Sequence, residues 1–263
     1  MQFGNVTIET VPAPAGLYAP SDGEMETARR VQTRLLRRRI PQMENLAWGG
    51  CYFPAGEIGG DYYDFIHLGL RRVGLALGDI SGKGVPAALM MASLQAILRS
   101  HSPSMADDLP RLLRSVNRLF CDCTGESDFA SLFFGDYHDA ARCLRYVNCG
   151  QTPPLLVHRD FSVDRLTSTA TVLGMFPDWN CTVSAVELVP GDTLLLFTDG
   201  VTEAMNESGE EFGEGRLLDA LRASRHAALG ALVHEMAAAV RKFSGNHPKD
   251  DVTLLVARPV DPR

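Results

Sequence analysis

Acidic residues stand at the ends of four apolar segments that have the length and composition of β-strands. They are Asp61 before the segment 62–68, Asp79 after 72–78, Asp199 after the apolar run 194–197, and Asp250 before 252–257. Burying a carboxylate is costly unless a positive charge or hydrogen-bond donors compensate it. A fold for this chain must therefore expose these strand ends separately or gather them around a shared positive charge.

Each of these aspartates also has a local explanation, because Asp is common in turns and at the ends of strands. Four in one chain favour a shared site, where several carboxylates ionise together only if cations lie among them. Their motifs are GGDYYD (59–64), GDISGKG (78–84), TDG (198–200) and DDVTLLV (250–256), which contain no His or Cys. Ligation by oxygen alone suits Mg²⁺ or Mn²⁺ better than zinc. Two such ions can activate water against a phosphate ester, so the pattern predicts metal-dependent hydrolysis.

The composition limits the partners and the compartment. The chain has 263 residues and a formal net charge of -7, so it lacks the basic field that nucleic-acid binding requires. We find no signal peptide and no apolar run of the length of a membrane span. The six cysteines form no CxxC pair, which predicts free thiols in a reducing compartment. We therefore expect a cytoplasmic protein with no nucleic-acid partner and no membrane partner.

Short segments of β type dominate the chain after residue 45. The predicted strands are 46–53, 62–68, 72–78, 130–137, 143–148, 154–158, 181–188, 193–198 and 252–257. Apolar residues at helical spacing predict helices over 86–100, 109–121 and 227–243. The first of these is apolar on nearly all sides, so we expect it to be buried. Strands with helices in separate blocks predict an α+β fold of packed sheets with helices outside, as one domain over 40–259.

The N-terminal part has a different character. Residues 1–20 are rich in Pro and Ala and are expected to be extended, whereas Ser21 and Glu24 form a capping-box pattern that predicts a helix over 21–39. The apolar stripe of this helix is Met25, Ala28, Val31 and Leu35, and its other faces contain six arginines. The arginines fit a solvated basic surface as well as they fit a surface that binds a partner. The stripe favours a regulatory or linker helix that docks on a partner, for example in a homodimer.

Taken together, the motifs resemble those of the metal-dependent protein phosphatases (PPM, type 2C), specifically the bacterial SpoIIE/RsbU branch. The matching segments include GDISGKGVPAALMM (78–91), GQTPPLL (150–156) and TDGVTEA (198–204), in the order and approximate spacing of that family. The resemblance covers residues 24–258. It implies a four-layer α/β/β/α sandwich of two antiparallel sheets flanked by helices, with two Mn²⁺ or Mg²⁺ ions at one end.

The resemblance also implies roles for individual residues. Asp61 and Asp79 would be shared or adjacent ligands of the ions, the backbone carbonyl of Ile80 would bind one ion, and Asp199 and Asp250 would complete the other. The implied reaction is hydrolysis of phosphoserine or phosphothreonine. Its implied substrate is a small regulatory protein, typically an anti-sigma-factor antagonist with a STAS fold.

Some positions depart from the family pattern or leave their role open. Gln151 stands where the family commonly has histidine, and glutamine cannot transfer a proton at neutral pH. Asp64 and Asp251 occupy motif positions without a clear role, and Lys83 is either a phosphate-attracting residue or a solvated lysine. Two other functions are compatible with the same residues: a metal-free pseudophosphatase that serves as a binding scaffold, and a metal-dependent phosphodiesterase.

Overall fold

The structure is a computed structural model that describes residues 21–36, 43–125, 127–245 and 249–260. Its helices are α1 Asp22–Leu36, α2 Gly84–Met105, α3 Leu109–Cys121, α4 Asp199–Thr202, α5 Gly213–Ala223 and α6 Leu229–Ser244. Its strands are β1 Leu46–Phe53, β2 Tyr62–Gly69, β3 Arg72–Ile80, β4 Ala130–His138, β5 Cys143–Cys149, β6 Leu155–Val157, β7 Val163–Arg165, β8 Ser184–Glu187, β9 Thr193–Phe197 and β10 Val252–Pro259. Each predicted strand overlaps one of these.

The strands form two five-stranded sheets in which all the pairs are antiparallel. The first sheet has the order β1-β10-β9-β6-β7, and the second has the order β2-β3-β4-β5-β8. One apolar core lies between the sheets, a second lies between the second sheet and α2 and α3, and a third lies between the first sheet and α5 and α6. The predicted α+β fold, a four-layer α/β/β/α sandwich, is confirmed.

Strand β3 shows how the sequence produces these layers. Its residues alternate between large and small, and the large ones, Val73, Leu75 and Leu77, lie in the core between the sheets. The small Ala76 faces the other way, into the core beneath α2 and α3. Because successive side chains of a strand point to opposite faces, one strand can serve both cores only if both of its faces are apolar.

Helix α1 occupies the described part of the predicted helix 21–39. The capping box is present, since the backbone N–H of Ser21 donates to Glu24 Oε2 at 2.9 Å. Val31 of the predicted apolar stripe is 50% exposed, because the face that packs on the domain contains Gln32 and Leu36. The end of the predicted helix at 37–39 and the predicted extended segment 1–20 lie outside the described residues.

The other helices also differ in part from the sequence prediction. Helix α2 was expected to be buried on all sides, but Leu89 is 68% exposed and Val85 is 40% exposed. Only one face of α2 packs on the second sheet and α3, so its outer face meets solvent. Helix α5 was not predicted, because its glycine-rich start, Gly213-Glu-Gly215, weakens a helical pattern. Among the described residues, no helix combines the length and apolar character that a membrane crossing needs.

Candidate functional site

The two sheets bring the predicted aspartates to one edge of the sandwich. In the second sheet, the antiparallel pairing of β2 with β3 places Asp61 and Asp79 at the same end. In the first sheet, β9 ends just before Asp199, and its antiparallel neighbour β10 begins just after Asp250 and Asp251. Asp79 interacts electrostatically with Asp61 in its own sheet, and also with Asp199 and Asp250 across the sandwich.

Asp61 is the most deeply buried of these residues, with 1% of its surface exposed. Its Oδ2 accepts hydrogen bonds from the hydroxyl groups of Thr198, at 2.9 Å, and Thr253. Burial and the nearby charge of Asp79 raise the pKa of Asp61 well above its usual range, although the two hydroxyl groups oppose this shift. Neither threonine was predicted from the sequence. Their signal was a polar residue inside or directly after an otherwise apolar strand.

Asp79 and Asp199 are held in a similarly unfavourable environment. Burial, followed by the charges of Asp199 and Asp250, raises the pKa of Asp79 to about 7. Burial and the charge of Asp250 also raise the pKa of Asp199. The edge of the sandwich therefore concentrates negative charge that a cation would relieve.

Two glycines allow backbone segments to approach each other closely beside these carboxylates. A Cβ atom at Gly60 would lie 3.1 Å from the carbonyl oxygen of Ile80, so this carbonyl stands beside the backbone that leads into Asp61. A Cβ atom at Gly200 would lie 2.0 Å from the carbonyl oxygen of Asp251. The glycines of the GGD and TDG motifs are thus required by close backbone approach.

Asp251 serves as an anchor for the loop between β1 and β2. Its Oδ1 accepts from the backbone N–H of Ala55 at 2.7 Å, and its Oδ2 accepts from the N–H groups of Gly60 at 2.7 Å and Asp61 at 3.3 Å. Its carboxylate is therefore engaged by backbone donors. This positions Asp61 and gives Asp251 a structural role that the sequence left open.

Asp64 is also engaged by other groups. It is 3% exposed, forms an ion pair with Arg99 of α2, and accepts from the hydroxyl group of Tyr62 at 3.0 Å. These contacts connect β2 to α2 and place Asp64 in a structural role.

Lys83 contacts the carboxylate cluster from the turn before α2. Its Nζ lies 2.9 Å from Asp250 Oδ2 and donates to the carbonyl oxygen of Lys249 at 2.7 Å. This pair is partly solvated, with 63% of the Lys83 side chain exposed. Lys83 thus supplies a positive charge at the rim of the cluster, where an anionic substrate would approach.

Gln151 is connected to Asp79 through Ser131. Its Oε1 accepts from Ser131 Oγ at 2.9 Å, and Ser131 pairs with Asp79 in the register of β3 and β4. Within the described residues its Nε2 is buried without a hydrogen-bond partner. Gln151 therefore reaches Asp79 through Ser131, in a supporting position.

The donor set is of the kind that hard divalent ions prefer. It consists of carboxylates that repel one another and the carbonyl of Ile80, all oxygen ligands. In the part of the chain that the structure describes, no three Asp, Glu, His or Cys side chains are already close enough to hold one ion. The residues fit Mg²⁺ or Mn²⁺ by their chemistry, and ligation would draw the carboxylates closer together.

The repulsion within the cluster predicts how the metal-free protein responds to pH. The folded pKa of Asp79, about 7, is above its unfolded value of 3.8, so the folded state binds more protons between these values. The free energy of unfolding should therefore fall by a few kcal/mol as pH rises through this window. Urea unfolding in EDTA at pH 5 and pH 8 measures the difference, and Asp79→Asn should reduce it. An equal pH dependence in the variant would contradict this origin.

Comparison with known proteins places the chain among bacterial phosphatases. Phosphoserine phosphatase RsbU of Bacillus subtilis is 30% identical over 246 residues, which cover 92% of this chain and 72% of RsbU. Protein IcfG of Synechocystis sp. is 29% identical over 260 residues, which cover 88% of this chain. The chain spans only 41% of the length of IcfG.

Solved structures share the same fold. The RsbU and RsbW domains of Rv1364c from Mycobacterium tuberculosis match with a TM-score of 0.73 and 28% identity, over 85% of this chain and 62% of that chain. The catalytic domain of the serine/threonine protein phosphatase PstP, in complex with 2 manganese ions, matches with a TM-score of 0.60 and 17% identity. That match covers 82% of this chain and 99% of the PstP chain.

The fold, the carboxylate edge and these similarities define a class: the chain is a domain with the fold of PP2C phosphatase domains and is related to phosphoserine phosphatase RsbU. Within that class it belongs to the SpoIIE family, because the family model described as Stage II sporulation protein E (SpoIIE) matches residues 70–260.

Proposed function

We propose that this domain hydrolyses phosphoserine or phosphothreonine on a regulatory protein, with two Mn²⁺ or Mg²⁺ ions held at the carboxylate cluster. The observation that carries the proposal is the repulsion of Asp79 by Asp61 and by Asp199 at one edge of a PP2C fold. The PstP domain, which has this fold, was solved with 2 manganese ions. RsbU, the relative with 30% identity, is a phosphoserine phosphatase.

The chain supplies the ligands and their orientation. In the proposed site, Asp61, Asp79 and the carbonyl of Ile80 would hold one ion, and Asp199 and Asp250 would complete the ligands of the other. Bound divalent ions supply Lewis acidity, which lowers the pKa of water and neutralises charge on phosphoryl oxygens. Thr198 and Thr253 fix the orientation of the Asp61 carboxylate through their hydroxyl groups.

The surroundings of the cluster determine how protons and substrate charge are handled. Gln151 has no titratable proton, so it cannot protonate the leaving serine or threonine oxygen. Lys83, which is exposed at the rim, attracts the phosphate group of the substrate by its charge.

The identity of the substrate and the assembly of the protein are finer parts of the proposal. A STAS-type anti-sigma-factor antagonist is the proposed substrate, from the motif pattern of the SpoIIE/RsbU branch. A homodimer through the helix 21–39 is the proposed assembly, and the 50% exposure of Val31 on α1 supports an outward apolar contact.

Phosphate release from a phosphoserine peptide and from a phosphorylated STAS-domain protein tests this function. We expect turnover in Mn²⁺ and its loss in EDTA, with recovery when Mn²⁺ is added in excess. Bis(p-nitrophenyl) phosphate is the control substrate, because a diester should be hydrolysed much more slowly than the phosphoserine peptide.

The outcomes separate the alternatives. Turnover that persists in EDTA would contradict the metal-dependent mechanism. Faster turnover of the diester than of the phosphoserine peptide would favour a phosphodiesterase. Absence of turnover on both phosphoserine substrates, together with no heat of Mn²⁺ binding in calorimetry, would favour the metal-free scaffold.

A further inference from the structure

A basic pocket lies at the end of the first sheet opposite the carboxylate cluster. It has a volume of about 500 Å³ and is formed by the β6–β7 turn, the start of β9, the end of α5 with the residues after it, and the end of β10. Its lining includes Arg159, Arg225, Arg258, His158, His226 and Phe161. This concentration of positive charge contrasts with the net charge of -7 of the whole chain.

The pocket is separate from the proposed catalytic centre. Strand β10 starts beside Asp250 and ends at the pocket, and β9 starts at the pocket and ends beside Asp199. Eight residues of β10 at the usual rise of a strand put roughly 20 Å between the two places. A ligand in the pocket therefore does not touch the carboxylate cluster.

Arg258 carries a positive charge in this pocket that no carboxylate of the described residues neutralises. This half-buried residue of β10 directs its Nε to Thr193 Oγ1 at 3.1 Å and its Nη1 to the carbonyl oxygen of Ala227 at 3.4 Å. No carboxylate among the described residues forms an ion pair with it, and burial lowers the pKa of its guanidinium. A partly buried positive charge that has only neutral partners is stabilised by an anion.

Two further arginines are oriented by local contacts. The stem of Arg159 lies across Gly191, where a Cβ atom would come within 3.2 Å of it, and the φ of +103° at Gly191 also favours glycine. The guanidinium of Arg225 lies 5.5 Å from the ring centre of Phe161, and its Nε donates to His226 Nε2 at 2.8 Å. Neither arginine forms an ion pair within the described ranges of the chain.

The acidic residue in the pocket does not neutralise these arginines. Asp192 is 3% exposed and is engaged by His158 Nδ1 at 3.1 Å and by the backbone N–H of Val189 at 3.0 Å. The other nitrogen of His158 lies 3.0 Å from Asp164. The histidine is thus shared between two carboxylates, and the three arginines remain available to an incoming anion.

We propose that this pocket binds a small phosphorylated molecule of about nucleotide size. Guanidinium groups match the geometry of phosphate oxygens, and the three arginines Arg159, Arg225 and Arg258 line one cavity. The volume is within the range of small-molecule sites, so a free phosphate ion would fill only part of it.

Calorimetry of the whole chain in EDTA tests the proposal, because EDTA removes metal-dependent phosphate binding at the carboxylate cluster. Adenosine monophosphate is the probe, with inorganic phosphate and adenosine for comparison. We expect binding of the monophosphate, weaker binding of inorganic phosphate, and none of adenosine. Arg258→Gln and Arg225→Gln should each weaken the binding of the monophosphate about tenfold or more.

Two controls isolate the pocket. Arg114→Gln removes an exposed arginine of α3, on the opposite face of the sandwich, and should leave the Kd for adenosine monophosphate unchanged. Asp79→Asn should also leave it unchanged, because the cluster is at the other end of the sheet. The proposal is overturned if neither phosphate probe binds, if adenosine binds as well as its monophosphate, or if Arg225→Gln binds like the wild type. Since Arg225 is exposed, that variant tests the proposal even if Arg258→Gln fails to fold.

Discussion

Replacing Asp79 by Asn should reduce kcat/KM for a phosphoserine peptide in Mn²⁺ by about 10³-fold or more. Asp79 interacts with carboxylates from both sheets, with Asp61 on one side and Asp199 on the other. Removing its charge weakens the attraction for divalent ions while almost preserving the shape of the side chain. Steady-state phosphate release and calorimetric titration with Mn²⁺ measure the two effects.

The same substitution should not destabilise the metal-free fold. Asp79 is close to like charges, so its neutralisation removes repulsion, and the free energy of unfolding in EDTA should stay equal or increase above pH 7. Asp219→Asn is the matched control, because Asp219 is exposed on α5, where it pairs with Arg222 and not with a residue of the cluster. Activity of Asp79→Asn within tenfold of the wild type would argue against a role for Asp79 in holding metal.

The local pattern was sufficient to predict packed sheets with helices outside, whereas the four-layer order was implied by the resemblance to the phosphatase family. The alternation of Val73, Leu75 and Leu77 with small residues identifies a strand that is covered on both faces, and the structure places these residues between the sheets. The pattern does not say which face of a helix is covered. For that reason the exposure of Leu89 was not predicted: it depends on neighbours that are distant in sequence.

In the candidate site, too, the positions of the acidic residues could be predicted from the sequence, but the contacts between distant residues could not. Aspartates at strand ends are visible in the sequence, and the antiparallel pairing brings them to one edge. The hydrogen bonds from Thr198 and Thr253 to Asp61 join residues 137 and 192 positions apart, so no local pattern reveals them. The contact of Gln32 with the backbone carbonyl of Gly59, at 2.7 Å, also depends on how α1 lies on the domain. The assignment of Asp61, Asp79, Asp199, Asp250 and Ile80 as metal ligands stays a prediction.

Replacing Asp251 by Ala should lower the free energy of unfolding by about 3 kcal/mol, because buried N–H groups lose their acceptor. The affected donors are the backbone N–H groups of Ala55, Gly60 and Asp61. Once they are released, the loop before β2 no longer fixes Asp61. Mn²⁺ affinity should therefore fall as well, although the carboxylate of Asp251 is engaged by the backbone. Urea unfolding in EDTA and calorimetric titration with Mn²⁺ measure the two changes.

The neighbouring residue provides a matched comparison. Asp250 is a half-exposed partner of Lys83, so Asp250→Ala should cost less than about 1 kcal/mol of stability while it lowers Mn²⁺ affinity and activity. The substitutions of the two adjacent aspartates should thus have different effects on stability. Asp251 mainly supports the loop, whereas Asp250 mainly supplies charge to the cluster. Equal losses of stability in the two variants would refute this division. In that case the backbone contacts of Asp251 would not be what holds the Asp61 loop in place.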